Sequence, residues 1–198
     1  MPRPFARVLI VAAVLAVIAA SAALWTFLNA PKPQVTSSGT ASVGGPFTLV
    51  DQHGKTVTDE AFRGRWMLVF FGFTHCPDIC PTALNDLSMT LQELGAASDK
   101  VQPIFITVDP ERDTVRAMAD YVANFDPRIV ALTGTPEQIA QAAKAYRVYY
   151  KKVPQGDGYT MDHTGILYLM DPQGRFTTHF TPNTSPADMA ARIRKQLG

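Results

Sequence analysis

The sequence predicts an α/β domain, a central mixed sheet flanked by helices, preceded by one N-terminal transmembrane helix. Three observations carry that prediction. Trp66 to Phe73 (WMLVFFGF) is a continuous apolar run of strand length, as expected of a strand covered on both faces of a sheet. Downstream, strand-like segments alternate with segments whose apolar residues recur at helical spacing. Upstream, Val8 to Leu28 (VLIVAAVLAVIAASAALWTFL) carries no charge and only Ser21 and Thr26 as polar residues.

At helical rise the Val8–Leu28 stretch is about 30 Å long, enough to cross the hydrocarbon core of a bilayer. Arg3 and Arg7 precede it and only Lys32 follows closely. The positive-inside rule then leaves the N-terminus in the cytoplasm or matrix and puts everything after Leu28 on the far side of the membrane. Residues 1–29 read as a single-pass anchor. The competing reading is a cleaved signal peptide, for which Ala20-Ser21-Ala22 supplies a processing site. The apolar run continues past that site to Trp25 and Leu28, which favours the anchor. Residues 30–45 (APKPQVTSSGTASVGG) have no helical or strand period and read as a flexible tether.

Residues 46–198 form the working domain, and a chain of 198 residues with 46% hydrophobic content leaves little room for a second. Removing Arg3, Arg7 and Lys32 from 18 basic residues leaves 15 against 17 acidic ones, so the exported part is slightly acidic. It has no Lys/Arg run, which argues against a nucleic-acid partner.

FTLVD and KTVT around Gln52-His53-Gly54 read as a hairpin, and Thr58 to Gly64 as a connecting turn into the Trp66–Phe73 strand. Leu84, Leu87, Leu91 and Leu94, closed by Gly95, place a helix over Pro81 to Leu94. VQPIFITVD is the next strand. Asp113 is the expected cap of a helix whose Val115, Met118, Val122 and Phe125 share a face, and Ile129 to Leu132 the strand after it. Thr135, Pro136 and Gln138 supply a capping box and a first-turn proline for a helix ending near Arg147. Gly165 to Met170 and Gly174 to Phe180, joined by Asp171-Pro172-Gln173-Gly174, form a second hairpin, and Ser185-Pro186 opens a last helix.

Both cysteines lie in FFGFTHCPDICPTAL, with three residues between Cys76 and Cys80. A proline one turn inside a helix begun at Pro77 would clash with an earlier carbonyl, so Cys76 to Cys80 reads as a loop, with Cys80 as N-cap and Pro81 as first helical residue. A thiolate is favoured at such a helix terminus, at the carboxyl end of a strand where open α/β sheets place their sites. The residues leave three uses open. A stabilising disulfide suits an exported protein, although so small a ring constrains the unfolded chain little. Zinc lacks a second cysteine pair. A redox pair or a soft metal site uses both thiols directly.

FFGFTHCPDICPT, with TVDPERDT (Thr107 to Thr114), LTGT (Leu132 to Thr135), AYRVYY (Ala145 to Tyr150) and DHTGILYLMDPQGRF (Asp162 to Phe176), resembles the Sco/SenC copper-chaperone family. The resemblance covers essentially the whole exported domain. It implies a thioredoxin-like fold, a membrane anchor, and a role in building the dinuclear copper centre of cytochrome c oxidase. It also implies copper as Cu(I) or Cu(II) held by Cys76, Cys80 and His163, with the copper-bearing oxidase subunit as partner. An exported compartment favours a Cys76–Cys80 disulfide, so a thiol reductant is expected as a further partner, with other copper chaperones beside it. Two thiolates and an imidazole are in their own right a soft, low-coordinate set that suits Cu(I). Asp162 is placed to orient His163, and Asp78 to tune the metal or bind it weakly; a solvated loop carboxylate is the plain reading of each. His75 adjoins Cys76, but adjacent residues rarely both face one ion, and loop packing is its expected role. His53 and His179 read as surface residues.

The competing activity is that of a thiol–disulfide oxidoreductase that keeps the oxidase subunit's cysteines reduced. A redox sensor and a thiol peroxidase would use the same pair. Thioredoxin-type reductases carry a cis-proline before the strand that faces their cysteines, whereas Thr160 to Gly165 holds His163 and no proline. In the metallochaperone reading a Cys76–Cys80 disulfide is a redox-active off state. The mature chain is expected to retain its anchor, and its intact mass decides this: a start at Ala23 defeats the prediction.

Overall fold

The computed structural model describes Trp25 and residues 43–198, so all of the anchor but Trp25, and most of the tether, lie outside the described residues. Among the described residues no helix is long and apolar enough to cross a membrane.

The first hairpin forms as expected from β1 (Thr48–Asp51) and β2 (Thr56–Thr58). Asp51 Oδ1 closes the turn by accepting from the amides of His53 and Lys55, each at 2.9 Å. A short 3-10 helix, Asp59–Phe62, leads into β3 (Trp66–Gly72). Then come α1 (Ile79–Leu94), β4 (Val101–Thr107), α2 (Val115–Val122), β5 (Val130–Thr133) and α3 (Pro136–Tyr146). Next follow β6 (Tyr150–Gln155), β7 (Gly158–His163), β8 (Leu167–Met170), β9 (Phe176–Phe180) and α4 (Pro186–Leu197).

Seven strands form one mixed sheet in the order β2-β1-β5-β4-β3-β8-β9. β3, β4 and β5 run parallel through the crossover helices α1 and α2, and the flanking pairs are antiparallel. The apolar run of β3 therefore lies between β4 and β8, and Met67 through Phe71 are essentially without exposure. Period-two alternation distributes its aromatic residues. Phe70 stacks on Phe105 of β4, which in turn packs on Tyr121 near the end of α2. Phe71 meets Tyr146 of α3 and Tyr168 of β8.

The helix signals hold at α3 and α4. Thr135 and Gln138 make the reciprocal capping box, and Ser185 Oγ accepts from the Asp188 amide at 3.1 Å. The expected cap of α2 is corrected: Thr114, not Asp113, accepts from the Ala117 amide. The Asp113 side chain is turned inward. A second departure is the hairpin of β6 and β7, which among the described residues pair only with each other. Their sequence gives no apolar stripe, and Pro154 argues against a strand. The two-residue loop at Gly156-Asp157, with Gly156 at φ +55°, closes the pair.

Candidate metal centre

β3 ends with Gly72 at the carboxyl end of the parallel strands. A Cβ built there would come within 2.7 Å of Cys80 Sγ and 2.9 Å of Phe70, so only glycine lets the strand backbone lie this close to the thiol. The segment that follows is held from below. Thr74 donates to the Asp113 carboxyl through its amide (3.0 Å) and its hydroxyl (2.6 Å), and Thr107 Oγ1 at the end of β4 donates to the same group at 2.6 Å. Asp113 is fully buried. It is the functional side chain the sequence analysis missed, because its partners come from two other segments and no local spacing announces them.

α1 starts two residues earlier than expected. Asp78 is the N-cap residue, without a side-chain cap bond, and Thr82 N donates the first helical bond to Asp78 O at 3.2 Å. Cys80 is thus the second helical residue rather than the N-cap. Pro81 fits at the third position, since amides of the first turn have no intrahelical acceptor and the Pro77 carbonyl lies outside the helix.

The corrected start changes which thiol the helix terminus serves. Cys80 is buried among Gly72, Phe70 and α1, while Cys76 is half-exposed and its Sγ accepts from the Cys80 amide at 3.4 Å. The Cys80 thiol, donating to Cys76, and the backbone amides of Asp78, Cys80 and Ile79 lower the Cys76 pKa from 9.0 to about 5. Donating to Cys76, and then burial, push Cys80 up beyond the ordinary thiol range. The pair holds one negative charge, placed on the outer sulfur.

His163 is the last residue of β7, opposite Tyr150 of β6. Its ring stands edge-on to Phe73 (5.7 Å between centroids) and Phe70 (6.2 Å). Nδ1 lies 3.1 Å from the Thr164 carbonyl, which can only accept. In the neutral ring Nδ1 therefore carries the proton, and Nε2, 3.6 Å from Cys80 Sγ, is left without one, as a metal ligand must be. The ligand atoms of Cys76, Cys80 and His163 all lie within 4.8 Å of one another. A cleft lined by Phe73, Cys76, Pro77, Ile79, His163 and Pro182 opens over them.

The other named residues stand apart from this cluster. His75 points outward, its Nδ1 3.0 Å from Thr74 Oγ1 and 3.9 Å from Asp113. His53 and His179 are exposed, the latter stacked on Phe176. Asp162 does not orient His163: neighbouring residues of a strand project to opposite faces, Asp162 is exposed opposite Lys151, and the Thr164 carbonyl takes the Nδ1 proton. Asp78 is exposed at the mouth of the site.

Two thiols beyond the end of β3 and one imidazole from the separate β6–β7 hairpin, brought within 4.8 Å of one another, define a metal-binding α/β domain. Residues 35–198 match the SCO1/SenC family, and the chain belongs to that family. The mitochondrial SCO1 homolog of Homo sapiens is 43% identical over 163 residues, covering 80% of this chain and 54% of its own length. The mitochondrial SCO2 homolog of Bos taurus is 46% identical over 162 residues, covering 79% and 61%. The chain thus spans roughly half to three fifths of these curated relatives. Among solved structures, copper-bound ScoI of Bradyrhizobium japonicum is 51% identical, with a TM-score of 0.73 over 77% of this chain and 98% of that one. Copper-bound yeast Sco1 is 38% identical, with the same TM-score of 0.73 over 79% and 88%.

Two outcomes are expected. Asp113→Asn leaves at least one of three buried donors facing an amide nitrogen, so denaturant unfolding should show a loss of about 1–3 kcal/mol, with faster hydrogen exchange at the Thr74 amide. For the reduced, metal-free protein, the Cys76 pKa is depressed on folding. Its contribution to stability is therefore lost as pH falls through about 5, grows between about 5 and 9.0, and is complete above 9.0. Cys80 has the opposite sign and removes stability only above 9.0, where the unfolded thiol ionises freely. Unfolding measured across pH should flatten between those limits in Cys76→Ser.

Proposed function

We propose that this protein is a membrane-anchored metallochaperone that carries copper to the dinuclear centre of cytochrome c oxidase, with Cys76, Cys80 and His163 as its ligands. The observation that carries this reading is the convergence of two sulfurs and one imidazole nitrogen within 4.8 Å, in a family whose Bradyrhizobium and yeast members have copper-bound structures. A relative 27% identical over 78% of this chain, BsSco, is described as a member of the Sco family of cytochrome c oxidase assembly proteins.

Copper is the cargo here, and the donor set suits it: thiolates hold Cu(I), and an imidazole added to them supports Cu(II). Cys76 is already a thiolate at neutral pH, so loading displaces essentially one thiol proton, that of Cys80. Three ligands leave coordination room for a recipient's ligand. The cleft over Cys76 and His163 gives that ligand a way in. The recipient is the copper-bearing oxidase subunit, other copper chaperones supply the metal, and a thiol reductant keeps the pair open. The setting is an inner membrane, with the domain in the periplasm or intermembrane space.

The second reading is thiol–disulfide exchange. A partly exposed, low-pKa Cys76 beside a protonated Cys80 has the asymmetry of an exchange nucleophile and its resolving thiol. BsSco is also described as having a disulfide switch. The readings separate in one experiment: the detergent-solubilised full chain is given the apo oxidase subunit, and copper transfer is compared with the rate of reduction of that subunit's disulfide.

The reduced chain should bind one copper, and Cys76→Ala, Cys80→Ala and His163→Ala should each bind it far more weakly. His75→Ala should bind it normally. Oxidising Cys76 and Cys80 to a disulfide leaves only the imidazole and should abolish tight binding of both Cu(I) and Cu(II) in anaerobic titrations. Undiminished affinity in His163→Ala removes histidine from the site, and an oxidised monomer that binds as tightly as the reduced one ends the chaperone reading.

A further inference from the structure

The hairpin that carries His163 is joined to neither edge of the main sheet, and Met161 is its one buried residue. A lone two-stranded hairpin is marginal in water, so its position depends on what ties it to the body. Beside it runs a cleft of about 440 Å³, lined by Val108, Asp109, Glu111, Tyr150, Lys152 and Met161. The polar ties across that region come from the segment just after β4. The carboxyl of Asp109, 2% exposed, accepts from Arg112 Nε at 2.5 Å and from the Tyr159 hydroxyl at 3.0 Å. Arg112 Nη1 donates to the Tyr159 carbonyl at 3.0 Å, and its guanidinium carbon stands 3.8 Å from the centre of the Tyr159 ring. Lys152, bonded to Glu111 at 2.7 Å, lies 4.2 Å from the same ring centre.

Two further facts connect this clamp to the metal centre. Tyr159, Met161 and His163 alternate along β7 and so line one of its faces; fixing Tyr159 fixes that face. The Arg112 guanidinium also stands 5.9 Å from the centre of the Phe73 ring, the ring that abuts His163 edge-on at 5.7 Å. One side chain thus bonds the strand bearing the imidazole and stands within cation–π range of the segment bearing the thiols. This is not a screened surface ion pair: Asp109 is buried, and Arg112 Nη2 is buried with no hydrogen-bond partner among the described residues.

We propose that Arg112 is a positioning residue for His163: by bonding the Tyr159 backbone and stacking on its ring, it holds β7 at the distance from the cysteine segment that the three-ligand site requires. The inference rests on the reading of His163 as a copper ligand. Lysine cannot replace it, because an ammonium has neither the planar face for the ring nor the fork that reaches Asp109 and the Tyr159 carbonyl together.

The test uses the full chain in detergent micelles with three variants, Arg112→Ala, Arg112→Lys and Tyr159→Leu. The last two leave no bare charge on Asp109, and they carry the test should Arg112→Ala not fold. The first readout is taken on the reduced, metal-free protein, where the His163 ring-proton resonances sense the Phe70 and Phe73 rings. In all variants that fold they should move toward the values of a free histidine. The second readout adds copper alone. Cu(II) affinity should fall about tenfold or more and nitrogen hyperfine coupling should weaken, while Cu(I), held chiefly by two thiolates, changes less. Unmoved His163 resonances in the folded variants overturn the proposal, as does equal loss of Cu(I) and Cu(II) binding with the His163 environment intact. Should the wild-type chain bind no copper, the ligand reading fails, while the metal-free resonances still decide whether Arg112 places the imidazole.

Discussion

The Asp113 carboxyl is the point on which the geometry of the site depends. It is buried at the end of the segment after β4 and accepts from Thr74 and Thr107, so it ties the exit of β3 to the exit of β4. Its own backbone is held as well: its amide donates to the Asp109 carbonyl at 3.0 Å, and its carbonyl accepts from Thr133 of β5 at 2.7 Å. The ends of three parallel strands are thus gathered on one residue. Buried polar groups of this kind are costly unless every donor and acceptor is matched, and that requirement leaves the connection little freedom. Thr74 cannot move without abandoning two bonds, and Cys76 follows two residues later.

From that fixed point the asymmetry of the two thiols follows. A helix starting at Ile79 turns its first amides toward Cys76 and carries Cys80 inward against Gly72. Placing one sulfur over free N–H groups and the other among apolar side chains separates their ionisation in opposite directions. The same arrangement prepares a metal ligand and an exchange nucleophile, because both tasks need one thiolate in reach and a second sulfur close by.

Much of the fold could be read from the residues, for identifiable reasons. β3 announces itself because a strand buried on both faces must be apolar throughout, and α3 and α4 because caps are local chemistry. The β6–β7 hairpin could not be read, since a ribbon outside the sheet has no face to bury and so no period to show. The ligand set Cys76, Cys80 and His163 came from the family resemblance, and the structure brings those three residues together. The distribution of labour within it did not come through: assigning Cys80 to the cap put the stabilised thiolate on the wrong sulfur, because a shift of two residues in a helix start decides which group the terminus faces. Asp113 was likewise mistaken for the cap that Thr114 provides, since both types suit that position and only burial distinguishes them.

The contrast in burial between the two sulfurs has a consequence for traffic through the site. Cys80 has no exposed surface, whereas Cys76 and His163 border the open cleft. An incoming ligand meets the outer sulfur and the imidazole first and the inner sulfur last. A small solute entering by the cleft therefore reaches Cys76 and His163 and stops short of Cys80. Such a centre has a front and a back. A thiol reagent that enters by the cleft thus distinguishes the two sulfurs by access alone, apart from any difference in their ionisation.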